Sequence, residues 1–135
     1  MRVIIIGAGK VGFKLAEKLS QENHEVLVIE QNEERRKILQ EYLDVLVSGG
    51  NGASPRVLSE AGITTADLMI AVTDQDEVNM LACMVGKRAG VARTVARVRS
   101  PEYVQKDQAL FREWMGIDLL INPEMVTALE ILQIL

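Results

Sequence analysis

Short apolar runs alternate with helix-period segments along the whole chain. Val3–Ile6, Val26–Ile29, Val45–Val47, Leu68–Val72, Thr94–Val98 and Leu119–Ile121 have the length and β-branched content of strands. Between them Val11, Leu15 and Leu19 recur at i, i+4, i+8, and Val78, Leu81, Ala82 and Val85 at i, i+3, i+4, i+7, the spacing of one helix face. Parallel strands need crossovers, and right-handed crossovers put helices on both faces of the sheet. The chain is therefore expected to be α/β, an open, doubly wound, parallel six-stranded sheet in the order 3-2-1-4-5-6. In that order the winding reverses between strands 1 and 4, leaving a crevice at their carboxyl ends where ligands bind. The loops facing it are Gly7–Gly12 and Thr73–Glu77.

Turn residues such as Gly49-Gly50-Asn51-Gly52 and Ala61-Gly62 keep the connections short, so one domain is expected over residues 1–135. The last segment breaks the pattern. Asn122-Pro123-Glu124 opens it as a helix, with Asn as cap and Pro in the first turn. The apolar residues of Met125–Leu135 then cover more of the circumference than one sheet face can bury. The segment stops on Ile134-Leu135 without a cap, which points either to a chain continuing past Leu135 or to a helix packed on a second subunit.

Composition removes several classes of function. With 48% hydrophobic and 25% charged residues and no low-complexity tract, the chain should fold throughout. A net charge of −4 without any dense block of Lys and Arg gives no electrostatic footprint for nucleic acid. The lone Cys83 sits in a helical pattern, reads as a small buried apolar residue and fits a reducing, cytoplasmic setting. No apolar stretch resembles a signal peptide or spans a bilayer, so any membrane association is expected to run through a partner.

The first loop carries the chemistry. In Val3-Ile4-Ile5-Ile6-Gly7-Ala8-Gly9-Lys10-Val11-Gly12 a G-x-G-x-x-G spacing follows a strand and opens a helix, and Glu30 ends the second strand about 20 residues on, as a Rossmann-like dinucleotide site requires. Gly7 permits the tight turn, Gly9 lets backbone approach phosphates, and Gly12 allows close helix–strand packing. Phosphate oxygens would meet the unpaired N–H groups at the helix start, Val11 among them. Lys10 either adds a point charge there or is a solvated lysine on a turn. Glu30 would accept ribose hydroxyls and repel a 2′-phosphate, favouring NAD(H) or an adenosine nucleotide over NADP; its plain alternative is a surface glutamate. Across the crevice, Thr73 and Asp74 would line the ligand, while Asp76 and Glu77 complement a helix N-terminus or simply cap it. Arg97 and Arg99 alternate on one strand and point the same way, toward a phosphate or carboxylate or toward Asp74 or Asp76 as an ion pair.

With these motifs and with "GNGASPRVLSEAG" from Gly50, "DLMIAVTDQDEVN" ending at Asn79, "ARTVARVRSPEY" from Ala92 and "GIDLLINPE" ending at Glu124, nearly the whole chain resembles the nucleotide-binding N-terminal domain of potassium-transport regulators of the Trk/Ktr type. The resemblance implies a sensor of NAD(H) or ATP/ADP that forms dimers and rings beneath a membrane potassium channel, with residues 121–135 as a helix crossing between subunits. It implies Gly7, Gly9 and Gly12 on phosphates, Glu30 on the ribose, Asn51 on the adenine edge and Thr73 in the crevice wall. Asn51 stands where many relatives have Asp. Lys10 matches an arginine on the phosphates of some ATP-selective relatives, and Glu124 a glutamate that meets a divalent cation at some dimer interfaces. The smaller C-terminal domain usual in this family is not expected within these 135 residues.

The same residues argue about chemistry. A dehydrogenase needs a proton donor or acceptor beside the nicotinamide. The only histidine, His24, precedes the second strand at the opposite edge of the sheet; neither Tyr42 nor Tyr103 belongs to a Tyr-x-x-x-Lys pair, and Cys83 falls mid-helix. The nucleotide is thus expected to be read and not consumed. The alternatives are the cofactor domain of an NAD-dependent oxidoreductase lacking its substrate domain, and an assembly module with a degenerate pocket.

Overall fold

The computed structural model describes residues 1–103, 108–122 and 128–134. β1 (Arg2–Ile6), α1 (Lys10–Gln21), β2 (Glu25–Glu30), α2 (Glu33–Tyr42) and β3 (Leu46–Gly49) form the first half. After α3 (Pro55–Glu60) and a 3-10 turn at Ile63–Thr65 come β4 (Leu68–Ala71), α4 (Asp76–Arg88), β5 (Arg93–Arg97), α5 (Gln108–Met115), β6 (Leu119–Ile121) and α6 (Ala128–Ile134). All strands are parallel and lie in the order β3-β2-β1-β4-β5-β6, as the alternation of strands and helices predicted.

The central strands are unbroken apolar runs because both of their faces are covered. Successive side chains go to opposite sides. Ile4, Ile6, Met69 and Ala71 pack with Val57 and Leu58 of α3 and with Ala82 and Cys83 of α4. Val3, Ile5 and Ile70 pack on the other face with Leu15, Ala16 and Leu19 of α1, Leu39 of α2 and Ile131 of α6.

Two expectations shift. α4 buries Asn79, Met80, Ala82, Cys83 and Gly86, a face turned by about one residue from the Val78, Leu81, Ala82, Val85 reading, and Leu81 is 41% exposed. Small residues let the helix lie close to the sheet: a Cβ on Gly86 would stand 2.9 Å from the Met69 sulfur. Val85, half-buried, packs at the edge of this core, while Leu81 lies outside it. Strand 3 begins at Leu46 and runs to Gly49, displaced from Val45–Val47, because as an edge strand it buries no residue fully and its hydrophobic signal is weak.

The terminal helix α6 packs on α1 of its own chain, and Ile131 is completely buried there. Glu130 and Gln133 of the same helix are exposed. The expected helix start at Pro123 and Glu124 lies outside the described residues.

Candidate functional site

Where the winding reverses between β1 and β4, a cleft of about 340 Å³ opens at the carboxyl ends of the strands. From the first half Gly7, Gly9, Lys10, Val11, Glu30 and Asn51 line it. Thr73, Asp74 and Arg97 line it from the second. Gly12 does not, for it is engaged beneath the loop.

The three glycines of the first loop have three separate physical reasons. Gly7 has φ +99°, a left-handed conformation that side chains resist, and a Cβ there would meet the Thr73 backbone at 3.0 Å. On Gly12 a Cβ would stand 1.9 Å from the Gly7 carbonyl oxygen, so α1 can sit against the end of β1 only without a side chain at that position. Gly9 is different: a Cβ would come no closer to the protein than 3.8 Å, at an Arg35 guanidinium nitrogen. Nothing in the chain itself demands glycine there, and the vacant space faces the cleft.

Gly9 is also the N-cap of α1 and supplies no side-chain cap; no acidic residue stands in that helix's first turn. By contrast Asn32 caps α2 by accepting from the Arg35 N–H at 2.9 Å, and Ser54 caps α3 by accepting from Val57 N–H. The open N–H groups and the dipole of α1 thus point into the cleft, beside exposed Lys10, which has no ion-pair partner among the described residues.

Glu30 is buried, 7% exposed, at the end of β2. One carboxylate oxygen accepts the Ala8 N–H at 2.7 Å and the other the Asn32 N–H at 2.9 Å. It therefore ties the glycine loop to the start of α2, with Arg35 3.8 Å away, while the residue lines the cleft. Arg36 donates to the Glu30 and Gln31 carbonyls and fixes the same corner from outside.

On the opposite wall the organising residue is Asn79, which the sequence reading included in a motif without assigning it a role. It is fully buried. Its Oδ1 accepts from the Thr73 N–H and hydroxyl at 2.9 and 2.7 Å, and its Nδ2 donates to the Thr73 and Arg97 carbonyls at 3.0 and 2.9 Å. The Arg97 guanidinium also donates to the Thr73 carbonyl at 3.0 Å. A polar residue on the sheet-facing stripe of a helix was the available signal, and the one-residue phase error hid it.

The expected pairing of arginines divides. Strand β5 ends at Arg97, so Arg99 leaves the alternation and is exposed away from the cleft. Asp76 accepts the backbone N–H groups of Arg99 and Ser100 at 3.0 and 2.8 Å, and Glu77 accepts the Tyr103 hydroxyl at 2.9 Å. Both acids hold the segment after β5, and the Glu77 carboxylate beside it pushes the Tyr103 phenol's pKa up. Asn51 accepts the Ala53 N–H on its Oδ1 at 2.9 Å, a turn that presents Gly50, Asn51 and Gly52 to the cleft.

The reactive residues lie elsewhere. His24 stands at the amino edge of the sheet, with Nδ1 3.1 Å from the Met1 amino group. Cys83 is buried, its Sγ turned toward the Val95 carbonyl at 3.4 Å, and burial pushes its thiol far above the range in which a thiolate forms. At that amino edge Lys87 meets Asp118 at 2.7 Å, and Thr94 N–H donates to the same carboxylate at 2.8 Å. Partial burial works against the Asp118 charge, yet these partners outweigh it and hold the carboxyl below its usual pKa. No group of three or more metal-ligating side chains occurs among the described residues, and none of their helices is long and apolar enough to cross a membrane.

Comparison with known proteins follows the same outline. Residues 3–123 match the TrkA-N domain model. The Trk system potassium uptake protein TrkA of Vibrio alginolyticus is 44% identical over 126 residues, covering 92% of this chain and 28% of that protein. The TrkA homolog of Archaeoglobus fulgidus is 42% identical over 131 residues, covering 96% and 29%. The chain thus spans under a third of the length of these relatives. Among solved structures, the TrkA-N domain of the Escherichia coli inner membrane protein ybaL aligns with a TM-score of 0.78 at 21% identity, over 99% of this chain and 96% of that one. A GsuK channel bound to NAD aligns at 0.73 and 23%, over 89% and 21%. Its counterpart bound to ADP aligns at 0.73 and 23%, over 90% and 31%. With the family model matching nearly end to end and relatives above 40% identity, the chain belongs to the TrkA-N domain family.

Proposed function

We propose that this chain is a nucleotide-sensing domain of a potassium uptake system, which takes NAD(H) or ATP/ADP in the cleft and conveys its presence to a membrane partner. One observation carries the reading: Gly9 leaves open space at the uncapped start of α1 while nothing in the protein itself requires glycine there. A cradle that a Cβ would obstruct fits a phosphate group approaching the helix N-terminus. The buried Glu30, a carboxylate that lines the cleft with acceptor capacity beyond its two backbone donors, fits a ribose diol and disfavours a 2′-phosphate. Lys10 and Arg35 add positive charge beside the phosphates, Val11 contributes an N–H of the first turn, and Thr73, Asp74 and Arg97 close the far side.

The nucleotide is read and not consumed. His24 and Cys83 stand away from the cleft, so the groups best suited to move a proton at neutral pH are not beside the ligand. Signalling requires that the ligand bind one arrangement of subunits better than another, since only differential affinity shifts an equilibrium. The working form is accordingly a cytoplasmic homo-oligomer, a dimer or a ring, attached to the membrane through a potassium channel or transporter subunit. The names of the Vibrio and Archaeoglobus relatives support the potassium system, and the two GsuK structures support NAD or an adenine nucleotide as the class of ligand.

Titration calorimetry with NADH, NAD, ATP and ADP, paired with light scattering with and without each ligand, tests this. Preference for one nucleotide with a change in assembly is the expected result. Equal affinities with unchanged assembly would overturn the sensor, and turnover of NADH with a small carbonyl compound would favour the oxidoreductase reading.

A further inference from the structure

Two consecutive arginines stand near the start of α2, and they are held very differently. The Arg36 Nη1 donates to the Glu30 and Gln31 carbonyls at 2.9 and 2.7 Å, and its guanidinium packs 3.2 Å from where a Cβ on Gly49 would stand. Arg35 has only its backbone N–H committed, to the Asn32 cap. Its side chain is 55% exposed, makes no hydrogen bond among the described residues, and faces the Glu30 carboxylate across 3.8 Å, beyond hydrogen-bonding distance. A pair so exposed and so far apart holds its members loosely.

The same Nη1 that faces Glu30 is also the protein atom nearest to the point where a Cβ on Gly9 would stand, again at 3.8 Å. It therefore lies between the carboxylate at the end of β2 and the uncapped start of α1, close to both. A diphosphate offers more negative charge and more acceptor oxygens than one carboxylate, and the planar guanidinium can bond two of those oxygens at once. From this placement, and resting on the nucleotide reading above, we infer that Arg35 exchanges partners on binding: it gives up Glu30 for the phosphates and so frees Glu30 for the ribose hydroxyls. One side chain then couples the two halves of the ligand. A nucleoside without phosphates must compete with Arg35 for Glu30, whereas a nucleotide draws Arg35 away. Lys10 lines the same cleft but has no ion pair with Glu30, so it adds charge for the phosphates without releasing the ribose acceptor.

The test compares the full chain with Arg35→Gln, using thermal unfolding to confirm that both are folded, titration calorimetry for ADP and ligand-observed NMR titration for adenosine. In the variant ADP is expected to bind about tenfold more weakly, the size of one charge-assisted hydrogen bond, and its affinity to fall less steeply with added salt. Adenosine is expected to move the other way, binding about two- to threefold more tightly once Glu30 shares no charge with a guanidinium. Equal losses for both ligands would assign Arg35 to the shape of the wall, and a loss for ADP with adenosine unmoved would make it a phosphate contact without exchange. Either result, or an ADP affinity that Arg35→Gln leaves unchanged, overturns the inference while leaving the nucleotide reading intact. Failure of the unmodified chain to bind any adenine nucleotide or dinucleotide overturns the nucleotide reading and this inference with it.

Discussion

The two walls of the cleft each bring a helix N-terminus to the ligand side of the sheet, and they finish it in opposite ways. At α1 the chain supplies no side chain: Gly9 has no cap to offer, no acid stands in the first turn, and the nearest protein atom to its missing Cβ is 3.8 Å away. At α4 side chains fill the approach, with Asn79 alone making four hydrogen bonds to Thr73 and Arg97 and Asp76 two more to the segment after β5. One wall is open and electropositive; the other is closed upon itself. The difference teaches that the α1 wall is built for a partner outside the chain, whereas the α4 wall is built to hold its shape without one.

Four substitutions break or sharpen that contrast. Gly12→Ala is expected to cost about 3 kcal/mol or more by chemical denaturation, since its Cβ would meet the Gly7 oxygen at 1.9 Å and backbone would have to move. A near-neutral result would mean that the loop is softer than its geometry. Asn79→Ala strips the far wall of its hub: the Thr73 N–H and the Arg97 carbonyl lose the Asn79 amide, and the Thr73 carbonyl keeps only the Arg97 guanidinium; about 2–3 kcal/mol of stability should go, with weakened nucleotide affinity as a secondary effect.

Gly9→Ala should do the reverse. Stability is expected to stay within about 0.5 kcal/mol, while affinity for NADH falls about tenfold or more because the methyl group occupies the phosphate's approach. If Gly9→Ala unfolded the chain as Gly12→Ala does, the division between a structural and a ligand-facing glycine would collapse. The smallest effect is assigned to Asp118→Asn, at the far edge of the sheet. The native carboxyl titrates below its unfolded value, so its contribution is complete above about pH 3.9 and is lost as pH falls through the depressed pKa. With the Asp118 side chain 42% exposed, screening keeps that contribution near 0.5 kcal/mol or less. The variant should flatten the acid limb of a stability–pH curve and leave nucleotide binding untouched.

The architecture was legible from the sequence because its strongest signals are those of the central strands. Val3–Ile6 and Leu68–Ala71 are covered on both faces and so read as continuous apolar runs. Edge strand β3, half exposed, gave only an approximate position. Helix α2 buries Leu39 alone, and a sequence as charged as Glu33-Glu34-Arg35-Arg36-Lys37 carries almost no period to read. In the site, residues defined by backbone needs or by chain position were legible: Gly7 and Gly12 through conformation and packing, Glu30 through its place at a strand end. Residues that act through hydrogen bonds across the fold were not. Asn79 joins Thr73 to Arg97 from 6 and 18 residues away, and Asp76 reaches 23 residues to Arg99; no local spacing encodes such distances. The Arg97–Arg99 alternation failed for a related reason, since a strand's end is set by what its neighbours pair with and β6 supplies its last pair at Arg97.

The Asn79 network also decides where conformational entropy is spent. With its N–H and C=O both held by one buried amide, the Thr73 backbone has little freedom left for a ligand to remove. Lys10 is exposed and the Arg35 side chain is 55% exposed, and each can lose about 2 kcal/mol of rotamer freedom on being immobilised. On the proposed reading, capture of an anion in this cleft would be a process in which two long cationic side chains stiffen against a wall that was already still.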